Sequence, residues 1–205
     1  MEREASAGFP EIPLAPVAAI RATELAHALV AERLRPGDIA VDGTAGKGRD
    51  TLALAQAVGA DGHVHAFDIQ PAALDATRNL LEAAGLLDRV SLHLRTHAEL
   101  AEALPSAHRG RVAVAVFNLG YLPGGDAAVV TRPESTATAL RAAYAQLRAG
   151  GRLICVAYTG HPGGAEESEV VQAFAVEREG QGDVVMRRGL DAAPGRPWVL
   201  SVTRP

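Results

Sequence analysis

From Ile39 onward, short apolar β-type runs alternate with stretches of helical periodicity, and a chain patterned this way has few means of burying both. The runs are Ile39–Val41, Val64–Phe67, Val90–Leu94, Val112–Phe117 and Arg152–Tyr158. Between them the spacing predicts helices from about Asp50, over Pro71–Ala84, briefly after the third strand, and over Glu134–Leu147. A further helix is expected near Ala165–Phe174. Strands of this kind separated by helices of this length make a parallel sheet covered on both faces. Upstream, Val17, Ile20, Leu25, Leu29, Val30 and Leu34 recur at helical spacing until Pro36-Gly37 stops them. Downstream, runs around Val184–Met186 and Trp198–Val202 leave no room for a crossover helix, so one strand runs antiparallel at the edge. The expected architecture is a Rossmann-like doubly wound α/β sheet, mostly parallel with an antiparallel edge strand. Residues 1–16, rich in Pro, Ala and Glu, read as a flexible N-terminal arm, and residues 17–205 as one domain.

Composition narrows the function classes. Hydrophobic residues make up 48% and charged residues 21% of 205, values of a globular chain rather than a disordered or membrane one. No apolar run approaches the roughly 20 residues that span a bilayer, and no basic-then-apolar leader opens the sequence. The single cysteine, Cys155, falls in an apolar run and reads as a core thiol, so a reducing cytoplasm is the expected compartment. His63, His65 and His93 lack ligand spacing among themselves, and no metal site is expected. A net charge of −4 provides no global basic field for nucleic acid. The oligomeric state stays open, a homodimer included.

The first strand leads into Asp42-Gly43-Thr44-Ala45-Gly46-Lys47-Gly48-Arg49-Asp50-Thr51. In doubly wound sheets ligands bind outside the carboxyl ends of the strands, where glycines let backbone come close. This loop is not a complete dinucleotide fingerprint, because Thr51 stands at the third glycine, and it is not a phosphate loop. Asp42 at the strand end would repel a pyrophosphate and suits a ligand bearing an amino group and positive charge. Asp68 closes the second strand, placed to take both hydroxyls of a ribose, with Gln70 beside it for the ribose or adenine edge. Asp68-x-x-Pro71 is equally a helix-start signal. Thr96 and His97 end the third strand, where an adenine would lie. Acid, glycines, then acid favour S-adenosylmethionine over a nicotinamide dinucleotide.

The fourth strand ends in Phe117-Asn118-Leu119-Gly120-Tyr121-Leu122-Pro123-Gly124-Gly125-Asp126. Asn118 offers a carbonyl acceptor, Tyr121 a flat stacking face, and the glycines close backbone approach. A planar, nitrogen-bearing substrate suits that set. After the fifth strand, His161 in Thr159-Gly160-His161-Pro162-Gly163-Gly164 is expected at the same edge, where an imidazole could accept a proton or hold an amine, or simply stay solvated. Asp126 fits either a cationic substrate or a cap. Glu166 and Glu167 fit the first turn of a helix through its dipole. Arg49, Arg132, Arg187 and Arg188 are the candidate contacts to RNA phosphates.

Taken together, these segments resemble class I S-adenosylmethionine-dependent methyltransferases, and within them a small bacterial family labelled as rRNA methylases. The likeness covers roughly residues 20–203, with Lys47 and Arg49 standing where the family usually has Asn and His. Characterised members methylate the amine of 5-aminomethyluridine, often 2-thiolated, at the wobble position of tRNA. The resemblance therefore implies S-adenosylmethionine held by Asp42, Gly43, Thr44, Gly46, Lys47, Gly48, Asp50, Thr51, Asp68, Gln70, Thr96, His97 and Asn118, and a tRNA anticodon loop as partner. Asn118, Tyr121 and His161 would be catalytic. Leu119, Gly120, Tyr121, Asp126 and His161 would meet the substrate, with Tyr121 stacked on the uracil ring. Other readings keep the cofactor but change the acceptor to rRNA or a small amine, or make the chain a non-catalytic cofactor-binding module.

Overall fold

The computed structural model describes residues 21–120, 130–190 and 195–205. Seven strands form one sheet: β1 (Ile39–Asp42), β2 (His63–Asp68), β3 (Val90–Leu94), β4 (Val112–Leu119), β5 (Leu147–Ala157), β6 (Val184–Arg188) and β7 (Trp198–Thr203). The helices are α1 (Ala22–Arg33), α2 (Arg49–Ala57), α3 (Pro71–Ala83), α4 (Leu100–Ala103), α5 (Pro133–Gln146) and α6 (Gly164–Gly180). Strand order is β3-β2-β1-β4-β5-β7-β6. The chain thus reverses direction of travel between β1 and β4, and that switch point is where doubly wound sheets open a crevice for ligands.

Both faces of the sheet are buried, as the near-continuous apolar strands require. One face carries Phe67, Phe117, Leu153 and Trp198 against α5 and α6, and the other carries Val64, Val114, Ile154 and Val199 against α1, α2 and α3. Cys155 is fully buried, and burial, reinforced by Glu167, pushes its thiol well above the ordinary range. The tail makes the expected antiparallel edge: the reversed strand is β7, which inserts between β5 and the outermost β6. Several boundaries move, among them the start of β5, which pairs from Leu147 rather than Arg152. β4 continues through Asn118 and Leu119 rather than stopping at Phe117, because both residues still pair with Val156 and Ala157 of β5. α6 runs to Gly180, well past the expected end at Phe174, because Val171, Phe174, Ala175 and Arg178 continue one buried face. The N-terminal arm lies outside the described residues. Among them, no helix is long and apolar enough to cross a membrane.

Candidate functional site

The turn after β1 is laced to its neighbours before any ligand is considered. Gly43 N–H donates to the Val116 carbonyl at 2.8 Å, and Ala45 N–H to the Phe67 carbonyl at 2.8 Å. The Phe117 ring packs against Gly43, so close that a Cβ there would sit 2.1 Å from it. Gly48 adopts φ +80° and backs onto Thr77 of α3, where a Cβ would lie 2.9 Å from the Thr77 Cα. Asp42 is fully buried; its carboxylate accepts the Thr44 N–H at 3.0 Å and the Thr51 hydroxyl at 2.6 Å. Burial, with Asp50 nearby, raises its pKa from 3.8 to about 7. Asp42, Gly48 and Thr51 therefore shape the loop from behind and do not line the cavity in front of it.

That cavity has a volume of about 460 Å³ and sits on the carboxyl ends of β1, β2 and β4. The loop contributes Gly43, Thr44, Ala45, Gly46, Lys47, Arg49 and Asp50. Phe67, Asp68, Ile69 and Gln70 follow β2, Arg95, Thr96 and His97 follow β3, and Asn118 and Gly120 end β4. Val130, Thr131, Arg132 and Ser135 close the far side at the start of α5.

Asp68 faces the cavity with each oxygen already steered, one by Gly46 N–H at 2.9 Å and the other by Gln70 N–H at 2.9 Å. It is not the cap of α3, which is Gln70 without a side-chain bond. Each carboxylate oxygen retains a second lone pair for a hydroxyl donor. His97 is buried, and its Nδ1 donates to the Gly43 carbonyl at 3.2 Å. Burial lowers its pKa, so at neutral pH the ring is an uncharged brace between loop and third strand. Thr96 accepts from Ala98 N–H at 3.3 Å and starts a short 3-10 turn.

Asn118 is held by two side chains, Thr44 and Asp50. Its N–H donates to the Thr44 hydroxyl at 2.7 Å, and its side-chain Nδ2 donates to Asp50 Oδ2. Its amide oxygen is buried and has no hydrogen-bond partner among the described residues. An unpaired buried carbonyl costs free energy, so an acceptor held in this state at a cavity wall is suited to a donor arriving with a ligand. Beyond it, Gly120 N–H donates to the Thr131 hydroxyl at 2.8 Å, and Thr131 N–H returns to the Gly120 carbonyl at 2.9 Å. The Thr131 hydroxyl in turn donates to Glu167 at 2.7 Å, and Thr136 donates to the other oxygen of the same carboxylate at 2.5 Å.

Two further expectations change. His161 is not on the cavity wall: the Gly160-His161-Pro162 turn folds back, Nδ1 donates to the Pro162 carbonyl at 3.0 Å, and the ring packs against Gly120 and Gly164. Leu119 points into the core at 1% exposed. Glu167 stands in the first turn of α6 as expected, and it is also a buried carboxylate bonded by Thr131 and Thr136. Of the arginines named for RNA, Arg49 and Arg132 reach the cavity; Arg187 is paired with Glu179 at 3.1 Å, and Arg188 ends β6, two strands beyond β5. Tyr121 and Asp126 lie outside the described residues. His63, His65 and His93 gather with His108, yet among the described residues no His, Cys, Asp or Glu group is placed to hold a metal.

The residues present fit S-adenosylmethionine. Asp50 and Asp68 on the wall, with Asp42 behind, suit a sulfonium and an ammonium group, while Ala45, Phe67 and Ile69 provide an apolar wall for a base. Fold and site together define a class I S-adenosylmethionine-dependent methyltransferase fold. Residues 64–196 match the family described as "Putative rRNA methylase", and the chain belongs to that family. It is 42% identical over 162 residues to a chloroplastic tRNA (mnm(5)s(2)U34)-methyltransferase of Arabidopsis thaliana, covering 75% of this chain and 58% of that relative's length. A "putative rRNA-methylase" of Clostridium thermocellum superposes with a TM-score of 0.86 at 33% identity, covering 92% of this chain and 100% of the other. A Streptococcus mutans structure, titled a "putative methyltransferase" in complex with SAH, superposes with a TM-score of 0.79 at 32% identity, covering 90% of this chain and 98% of the other.

The residues that sequence reasoning missed are His27, Thr131, Arg95 and Ser135. His27 Nε2 lies 2.6 Å from Asp50 Oδ1, although it belongs to α1, far away in sequence. Its one sequence signal is helical spacing to Val30 and Ala31, with which it borders a small apolar pocket beside Asp50.

Proposed function

We propose that this protein transfers a methyl group from S-adenosylmethionine to the amine of 5-aminomethyl(-2-thio)uridine at the tRNA wobble position. The observation that carries the reading is the buried Asn118 amide oxygen, without a partner among the described residues and on the wall of a cavity suited to a cationic cofactor. When bound, S-adenosylmethionine supplies a methyl group on a positively charged sulfur. Gly43, Thr44, Gly46, Asp68, Gln70, Thr96 and His97 would hold the cofactor, with Asp68 on the ribose. The Asn118 oxygen would accept an N–H of the substrate amine and turn its lone pair toward the methyl. An amine nucleophile needs that orientation more than a strong base, and it sheds its surplus proton to water. Such positioning can be worth on the order of 7–11 kcal/mol of barrier in favourable cases.

The acceptor assignment leans on the Arabidopsis relative, whose name specifies a modified uridine at tRNA position 34. Lys47, Arg49, Arg95 and Arg132 around the cavity mouth give local positive charge for RNA phosphates on a chain whose net charge is −4. Nucleoside mass spectrometry of tRNA from a deletion strain tests the reading. Accumulation of the unmethylated aminomethyluridine supports it; an unchanged tRNA profile with a methyl lost from rRNA would replace it by the rRNA reading.

A further inference from the structure

We propose that His27 and Asp50 are positioning residues that set the orientation of the Asn118 amide, so that its oxygen, rather than its nitrogen, is left for the substrate amine. A terminal amide can flip, and with its nitrogen toward an amine it would offer a second donor where an acceptor is needed. Asp50 removes that freedom. A carboxylate only accepts, so the side-chain nitrogen of Asn118 must face Asp50 Oδ2 and the oxygen must face away. The remaining Asp50 oxygen is engaged by His27 Nε2 at 2.6 Å, which fixes the carboxylate about its own torsion.

The three side chains come from α1, α2 and β4, so only the packed fold brings them together. Their exposure is graded: the His27 side chain is 46% exposed, that of Asp50 17%, and the Asn118 oxygen is buried. Asp50 also acts on its surroundings, raising the pKa of both Asp42 and Tyr158 after the larger effect of their own burial. Donation to a carboxylate polarises the amide and strengthens its oxygen as an acceptor, an enhancement of about 10–30% per bond in such chains. The same negative group stands near the nitrogen that becomes cationic during transfer. His27 does not line the cavity and acts through Asp50.

This inference rests on the amine-orienting role of Asn118, and the test separates the two. In wild-type protein, the two Asn118 side-chain amide protons should be widely split in nitrogen–proton NMR spectra, one being bonded to a carboxylate. The splitting should collapse in Asp50→Ala and narrow in His27→Ala. With undermethylated tRNA as acceptor, His27→Ala should lower kcat roughly tenfold while the KM for tRNA and the Kd for S-adenosylmethionine stay within about twofold. His27→Gln, which retains a donor for Asp50, should recover most of the loss. An unshifted Asn118 signal together with wild-type kcat in His27→Ala overturns the inference, as does a loss that Gln does not rescue and that tracks a fall in Tm. If Asn118→Ala itself transfers normally, the amine-orienting role of Asn118 fails and this inference with it; if Asn118→Ala is inactive and His27→Ala is normal, only the positioning role of His27 and Asp50 fails.

Discussion

Thr131 closes on Gly120 from two sides, its N–H on the Gly120 carbonyl at 2.9 Å and its hydroxyl on the Gly120 N–H at 2.8 Å. The two ends of the glycine-rich segment after β4 are thereby clasped at one point beside the cavity. Glu167, buried in α6, accepts the Thr131 hydroxyl proton and so decides which way that hydroxyl points.

Thr131→Val keeps the shape of the clasp but strips Gly120 N–H and Glu167 of a partner. Leaving a buried polar group unpaired costs about 1–3 kcal/mol. Chemical denaturation should show a loss of this size, together with a fall in transfer rate exceeding any change in cofactor affinity. Wild-type stability in the Val variant would show that the clasp contributes nothing.

Gly43→Ala should damage the fold at the root of the site, since the new methyl would meet the Phe117 ring at 2.1 Å. Overpacking of this kind costs about 1–3 kcal/mol or more. The urea midpoint is expected to fall, and Gly43→Ala combined with Phe117→Leu to regain part of it. A single variant as stable as wild type would contradict the close packing.

Asp68→Ala removes the carboxylate that steers Gly46 and Gln70 and faces the cavity. Calorimetry should show S-adenosylmethionine affinity weakened at least tenfold, about 1.4 kcal/mol. An unchanged dissociation constant would remove Asp68 from the cofactor site.

The histidine cluster makes stability depend on pH. His65 bonds His93 at 3.1 Å and His108 at 2.8 Å, and burial, with His63, His93 and His108 around it, lowers its pKa to about 3. Its folded pKa lies below the ordinary 6.5, so its contribution is complete above pH 6.5 and fades as pH falls toward 3. Asp42 runs the other way: raised to about 7, it contributes most below 3.8 and least above 7. The difference in unfolding free energy between wild type and His65→Gln isolates the first effect, because Asp42, whose carboxylate bonds Thr44 and Thr51, is common to both and is not among the groups that shift His65. That difference should grow from pH 5 to pH 7; a difference independent of pH would contradict the assignment.

Much of this architecture was legible in the chain. β1 to β5 are apolar enough to announce a doubly covered sheet, and the loops at their carboxyl ends carried Gly43, Thr44, Gly46, Asp68, His97 and Asn118 to one cavity as their positions implied. What could not be read was set by packing across long sequence distances. His27 meets Asp50 only because α1 lies on α2, and Glu167 is buried only because Thr131 and Thr136 pack beneath α6. Asp42 looked like a ligand because it ends a strand beside glycines, but it is fully buried behind the loop, bonded to Thr44 and Thr51, and does not line the cavity. His161 looked catalytic for the same positional reason, and one backward turn at Pro162 keeps it off the wall.

Single-turnover transfer by Asn118→Ala loaded with S-adenosylmethionine tests most directly whether the Asn118 oxygen orients the acceptor amine. Removing one preorganised polar contact that acts in the transition state costs on the order of 10²–10³ in rate. The expected result is transfer to undermethylated tRNA slowed by at least about 100-fold, with cofactor affinity within about threefold of wild type. Transfer at the wild-type rate in that variant would contradict the orienting role.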